Sequence, residues 1–455
     1  MEKTYIRKII EHFYRVPFEA LTETTIHQVK RSFMDYLGCT IYSAKHDCRR
    51  PLVDFICDFS AAGNSTPWGL HRKINGAGAG AANACRTSSL ELDDVSGVNA
   101  SVHPGVYVWS AAIEAWKQHP CDMQTFIKAI VFGYDLCIRM GMLSGESVRE
   151  FGVHGPGMCG GFAAAATASL ILGLTEDEAE NAICTVGALL PLCPFISFIE
   201  GADSKDMYGG FGVYQALFAA EGAKRGLTGP SRVLEGPKGI KGFFRLERGM
   251  DMEPGEEYFI DSISFKEFSA CFSVHPAMAA ILEMQSKHDI AAEEIESAHV
   301  EVYPYSYALS MGTDLGQLNQ ASARLSVPYC VAFALTEGGL PPAAFEEECL
   351  KDHRYLSLAE RITIGNHLEY GEGPYGIRGT SIELHMKNGA VYTEEALHSR
   401  WNDGPTDEQL KGKFLSLTAG ALDAAQQSAM LEHIDRMEEP SHLEAVLEMM
   451  AKVEA

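Results

Sequence analysis

Two stretches, Gly76 to Ala84 and Phe162 to Leu172, are built almost wholly of glycine, alanine and other small or apolar residues. A helix with no polar face must be covered on every side, and small side chains let its neighbours approach closely. Ala182 to Leu190 is again apolar or small on every face, with Thr185 as the mild exception. Such a chain is constrained to a layered helical body with crowded interior helices. At 455 residues it exceeds what one core usually supports, so two domains are expected.

Taken in order, the first 261 residues read as helical. Thr22 to Gly38 places Ile26, Val29, Phe33, Met34 and Leu37 on one face, and Cys121 to Met140 is a second such segment. Thr175-Glu176-Asp177-Glu178 is a capping box that opens a further helix. The texture changes near Asp261. Val300 to Tyr303 and Ser381 to Met386 alternate, Arg361 to Ile364 is β-branched, and Asn388-Gly389 before Val391-Tyr392 signals a hairpin. Helical segments, Pro276 to Lys287 and Ser326 to Leu335, lie between these strands. Residues 262–397 therefore read as a small α+β domain with an antiparallel sheet. Thr406 to Gln409, another capping box, starts closing helices that share the opening texture. The expected fold is mainly α: a helical domain from 1–261 and 398–455, interrupted by the α+β insertion.

The formal net charge of −24 argues against nucleic acid and an anionic membrane surface as partners, because the overall field repels both, while an anionic small substrate stays open where a site concentrates its own cations. No apolar run approaches the length of a membrane span, and the first residues carry no signal-peptide pattern. The twelve cysteines are scattered without a Cys-x-x-Cys pair and read as free thiols of a reducing compartment, which places the protein in the cytoplasm.

The chemistry is concentrated in a few places. Leu90 to Gly105 holds the pair Asp93-Asp94, a small polar loop and His103-Pro104, between the small-residue helix and an apolar helix through Val108 and Trp109. A carboxylate beside an imidazole is the commonest proton-moving pair at neutral pH; the same residues also make a helix cap and a His-Pro turn. His154 precedes the alanine-rich helix, where it caps the helix or faces an anion. Lys205 sits in a glycine-flanked loop and Lys266 at the boundary between the two textures; each is either a solvated charge or a cation for an acidic ligand. The Gly76, Gly78, Gly80 spacing is not a dinucleotide fingerprint, and no histidine or cysteine set has metal spacing. Neither a metal nor a dinucleotide is expected, and Cys159 or Cys271 as a nucleophile is the minor reading.

Taken together and in order, Asp93-Asp94 with His103-Pro104, His154 before its helix, Lys205 before the helix ending near Gly226-Leu227-Thr228-Gly229-Pro230, Lys266 with Cys271 and His275-Pro276, and Gly404-Pro405-Thr406 resemble the MmgE/PrpD family. The resemblance runs from about residue 5 to about residue 445. It implies a helical domain built from both chain ends plus a lid, a homodimer, and catalysis without a cofactor. The implied active site is Asp93, His103, His154, Lys205, Lys266 and Tyr307, the tyrosine taken from the run Tyr303-Pro304-Tyr305-Ser306-Tyr307. The implied ligand is a small di- or tricarboxylate, clamped by Lys205 and Lys266, with His103 as acid/base, Asp93 orienting it, and His154 and Tyr307 as secondary donors. The implied activity is a lyase converting cis-aconitate to itaconate; a 2-methylcitrate dehydratase or an iminodisuccinate epimerase is the alternative. A dicarboxylate-binding protein without turnover is the alternative from another class. Cys271 stands where some animal decarboxylases of this family have histidine.

Overall fold

A computed structural model describes residues 3–96, 102–244, 254–255, 257–371 and 378–454. The small polar loop expected at 97–101 lies outside them. Helix takes 60% of the chain and strand 9%, a mainly α fold with a small α+β part.

The opening helices are α1 (Tyr5–Arg15), α2 (Glu23–Lys45), α3 (Gly76–Ser88), α4 (Pro104–Gln118), α5 (Met123–Glu150), α6 (Gly155–Ile171), α7 (Glu176–Ala188) and α8 (Ser204–Ala223). Their starts follow local chemistry: Asn75 caps α3 through Gly78 N–H, and Thr175 and Glu178 form the full capping box of α7. The small-residue helices are central, as their composition demands. Where α8 crosses α3, a Cβ on Gly210 would lie 2.4 Å from Cys85 Sγ and 2.7 Å from the Ala81 carbonyl oxygen, so only glycine fits. One core joins side chains from Tyr5 to Phe265 with others from Trp401 to Val453. Within it Trp109 stacks on Phe33 at 4.4 Å and donates its indole N–H to Ser32 Oγ at 3.2 Å. The closing segment enters this core through α12 (Asp407–Thr418), packed on α2 and opened by the Thr406/Gln409 capping box.

A second core is drawn from Phe268 to Met386. It lies between a four-stranded sheet, order β4-β3-β5-β6, and the helices α9 (His275–Lys287) and α11 (Val327–Glu337). The strands are β3 (Ile295–Val302), β4 (Ile362–Asn366), β5 (Thr380–Met386) and β6 (Val391–Ala396), and α10 (Pro304–Met311) follows β3. The expected antiparallel sheet needs correction: β5 pairs antiparallel with both β3 and β6, but β4 runs parallel to β3. The reason is the connection, because the chain leaves β3, passes through α10 and α11, and re-enters from the same end. A short ribbon, β1 (Val95–Ser96) against β2 (Ile263–Ser264), ties the segment after Asp94 to the one leading into Lys266.

Candidate active site

The site begins where α3 ends. Glu91, Asp93 and Asp94 follow within a few residues and all are buried. Ordinarily that is costly for three carboxylates, so each must have partners. Asp94 serves the fold: its Oδ1 accepts from Gly105 N–H at 3.0 Å and its Oδ2 from the Tyr134 hydroxyl at 2.6 Å. A Cβ at Gly105 would come within 2.8 Å of that same carboxylate, which is why α4 starts on His-Pro-Gly. Burial, with Asp93 and Asp35 adding repulsion and the Tyr134 hydrogen bond opposing, pushes the Asp94 carboxyl up to about 8.

His103 occupies the N-cap position of α4 without a side-chain capping bond and lines the cavity beside this loop. Its Nδ1 is 2.6 Å from the Asp94 carbonyl oxygen. A carbonyl only accepts, so Nδ1 carries the proton and Nε2 is left as the basic nitrogen. Asp93 is farther, with Oδ2 3.8 Å from Nδ1, so the backbone of Asp94 rather than the side chain of Asp93 fixes the tautomer. Burial and the nearby Lys266 ammonium lower the His103 pKa against the pull of Asp93 and Glu91, which leaves a neutral imidazole at pH 7.

His154 is arranged oppositely. As the cap of α6 its Nδ1 accepts from Gly157 N–H at 3.2 Å, so the proton sits on Nε2. Burial and Lys205 push its pKa down to about 3. One neutral imidazole thus offers a lone pair at Nε2 and the other an N–H donor, and both line the same cavity.

Lys205, in the first turn of α8, and Lys266, just after β2, come from opposite sides to one acceptor. Lys205 donates to Glu91 Oε1 and to the Ser88 carbonyl at 3.3 Å, while Lys266 donates to Glu91 Oε2 at 3.1 Å and lies 4.0 Å from Asp93 Oδ1. Burial alone raises a carboxyl, yet Lys205, Lys266 and His103 together hold Glu91 well below its ordinary range. Burial likewise opposes the charge on Lys266, and Glu91 and Asp93 overcome it, so its pKa lies above the ordinary lysine value. Behind them Lys413 of α12 pairs with Asp35 at 2.6 Å and donates to the carbonyls of Leu92 at 2.6 Å and Lys266 at 2.8 Å.

The cavity has about 100 Å³ open to the centre of a water molecule. Its floor is Glu91, His103 and His154; its upper wall is Cys271, Phe272, Ser273, Tyr303, Tyr305 and Arg378. A smaller adjoining space reaches Asp93 and Lys205. Tyr307 does not line either space: its amide bonds to the Tyr303 carbonyl at 3.0 Å and its side chain packs against the second core, so Tyr303 and Tyr305 hold the place expected of it. Of the six residues expected from sequence, His103 and His154 line the main cavity, Asp93 and Lys205 the adjoining one, Lys266 joins them through Glu91, and Tyr307 stands apart.

This constellation sits in a chain whose residues 7–252 match the MmgE/PrpD N-terminal domain and whose residues 268–439 match the MmgE/PrpD C-terminal domain. The chain belongs to the MmgE/PrpD family. It is 20% identical to the cis-aconitate decarboxylase-like protein oryM of Aspergillus oryzae, over 94% of this chain and 93% of that protein. To the cis-aconitate decarboxylase of Aspergillus terreus it is also 20% identical, over 93% of this chain and 91% of that one.

Within this MmgE/PrpD chain three contributors escaped the sequence reading. Glu91 stood two positions before the Asp-Asp pair but had no assigned partner, Lys413 lay among closing helices, and Arg378 preceded the hairpin region without a motif. Burial raises the Cys271 thiol, with Glu91 adding to it, and pushes the Cys159 thiol up to about 12, so both stay protonated. Among the described residues no group of three or more His, Cys, Asp or Glu is placed to hold a metal ion, and no helix is long and apolar enough to cross a membrane.

Proposed function

We propose that this protein is a cofactor-free lyase of the cytoplasm that decarboxylates cis-aconitate to itaconate. The observation that carries the reading is the pair of buried ammonium groups beside two neutral imidazoles of opposite tautomer, in a chain similar along its length to cis-aconitate decarboxylases. In the reaction the bond to the departing carboxylate breaks, its electron pair spreads over the allyl system toward a second carboxylate, and a proton adds to the carbon beside that carboxylate. Lys205 and Lys266 stabilise the carboxylates and the enolate-like charge, far better in a buried site than in water. His103 Nε2 carries the proton: the substrate's negative charge raises its proton affinity on binding, and the imidazolium then gives the proton to carbon. His154 Nε2–H donates a hydrogen bond to a carboxylate.

The resting neutral state of His103 also suits a base, which supports a second reading within the family, 2-methylcitrate dehydration or iminodisuccinate epimerisation. Incubation with cis-aconitate, 2-methylcitrate and iminodisuccinate, followed by proton NMR, is expected to give itaconate from the first alone. Turnover of either other substrate with none of cis-aconitate overturns the assignment. Saturable binding without any turnover would point to a dicarboxylate-binding protein.

We further propose that 262–397 acts as a lid on a helical body. The reading is supported by Cys271, Ser273, Tyr303, Tyr305 and Arg378, which roof a cavity whose floor belongs to the preceding helices. Closure would exclude water from the carbanion. A homodimer is proposed on the exposed stripe Phe211, Tyr214 and Phe218 of α8, at i, i+3 and i+7, with Leu189 and Leu192 also exposed. Replacing Phe211 and Phe218 together by Asp should move the protein in light scattering from twice the chain mass to the chain mass. A variant that still runs as a dimer removes this face from the interface.

A further inference from the structure

The two ammonium groups that the proposed chemistry needs are already engaged, because Glu91 gives one carboxylate oxygen to Lys205 and the other to Lys266. Asp93 lies 4.0 Å from Lys266 and Asp206 3.4 Å from Lys205, so three carboxylates face the two lysines and the cluster offers an incoming carboxylate little net attraction. Glu91 also lines both the main cavity and the adjoining one, where any ligand must meet it. Its φ of 49° is the left-handed conformation that a glutamate keeps only when its surroundings hold it there. We propose that Glu91 is a resident carboxylate standing in the place of a substrate carboxylate, and that a di- or tricarboxylate displaces it from Lys205 and Lys266 as it takes up a proton. This deepens, and rests on, the reading of the two lysines as carboxylate clamps.

The proton follows from the surroundings. Lys205, Lys266, His103, His154, Arg324 and Cys271 face Glu91 electrostatically. Once both lysines turn to the ligand, burial and the ligand's own negative charge act on Glu91, and both favour the neutral carboxyl. Solvent supplies the proton, and the only bond formed is O–H. A ligand with one carboxylate merely replaces the contacts it breaks. The exchange therefore selects acids whose further carboxylates reach the rest of the cavity wall.

The test uses the full chain and propane-1,2,3-tricarboxylate, a saturated acid that cannot react, titrated calorimetrically in two buffers of different ionisation heat. Wild type is expected to take up close to one proton more per ligand than Glu91→Gln, with affinity rising up to about tenfold per unit of falling pH between about 8 and 6. Glu91→Gln keeps the shape but frees the lysines, so it should bind about tenfold tighter or better, with a shallower pH dependence. The difference between the two proteins isolates Glu91 from any protons taken up by His103 and His154. Equal proton uptake with no gain in affinity overturns the exchange. If Glu91→Gln does not fold, a wild-type affinity that is flat with pH overturns it equally. Absence of all binding by wild type would instead defeat the clamp reading underneath.

Discussion

Replacing His103 by Gln is expected to lower kcat by about 100- to 10,000-fold while carboxylate binding stays within a few fold. Gln is close in size and its amide can still donate to the Asp94 carbonyl, the contact that now holds Nδ1 at 2.6 Å. It cannot accept and release a proton. The neighbouring charges on Lys205 and Lys266 remain, so the ligand should still be held. Steady-state kinetics on the true substrate, alongside calorimetry with an unreactive tricarboxylate, separates the two effects. Near-native kcat in the variant would take the imidazole out of the chemistry and pass the proton to another cavity group such as Tyr303 or Tyr305.

The second large effect is expected from Lys266→Met, which should raise KM, lower kcat and destabilise the fold together. Lys266 is wholly buried and is the contact for Glu91 Oε2. Removing it leaves a buried carboxylate with one partner where it had two, a change that costs about 3 to 5 kcal/mol when half of a buried pair is lost. The pH dependence has a defined sign. Because the folded pKa of Lys266 is raised, its contribution is fully present below the ordinary lysine value and is lost as pH rises through the raised one. Because that of Glu91 is lowered, its contribution is present above the ordinary carboxyl value and is lost as pH falls through the lowered one. Wild type should therefore keep this stabilisation across neutral pH. Denaturant midpoints at pH 7 that match for wild type and Lys266→Met would show that the pair contributes nothing to the fold.

The parts of this molecule that could be read in advance are those governed by near neighbours. Thr175 with Glu178 and Thr406 with Gln409 set helix starts within four residues, and both boxes are present. The alternation of Ser381 to Met386 marked a strand, since β5 buries alternate residues. What escaped depends on pairings between distant residues. Glu91 acquires its meaning from partners 114 and 175 positions away, and nothing in Leu90-Glu91-Leu92 signals them. The parallel pairing of β4 with β3 depends on the path of the intervening helices, which hydrophobic alternation does not encode. Tyr303, Tyr305 and Tyr307 are alike in spacing, and the turn into α10 decides which rings face the cavity.

Lys413 has a consequence for how activity arises during synthesis. It bridges Asp35 and Leu92, both made early, and Lys266, made just past the middle of the chain, yet it belongs to a helix translated after all three. Until that helix docks, the two carbonyls it spans have no cation between them and Asp35 has lost its counter-ion. A nascent or clipped chain that stops before residue 407 carries His103, His154, Lys205 and Lys266 but lacks the group that sets the carboxylate loop and the second lysine in register. The register between the carboxylate loop and Lys266 is thereby set only when a helix made after both of them has docked.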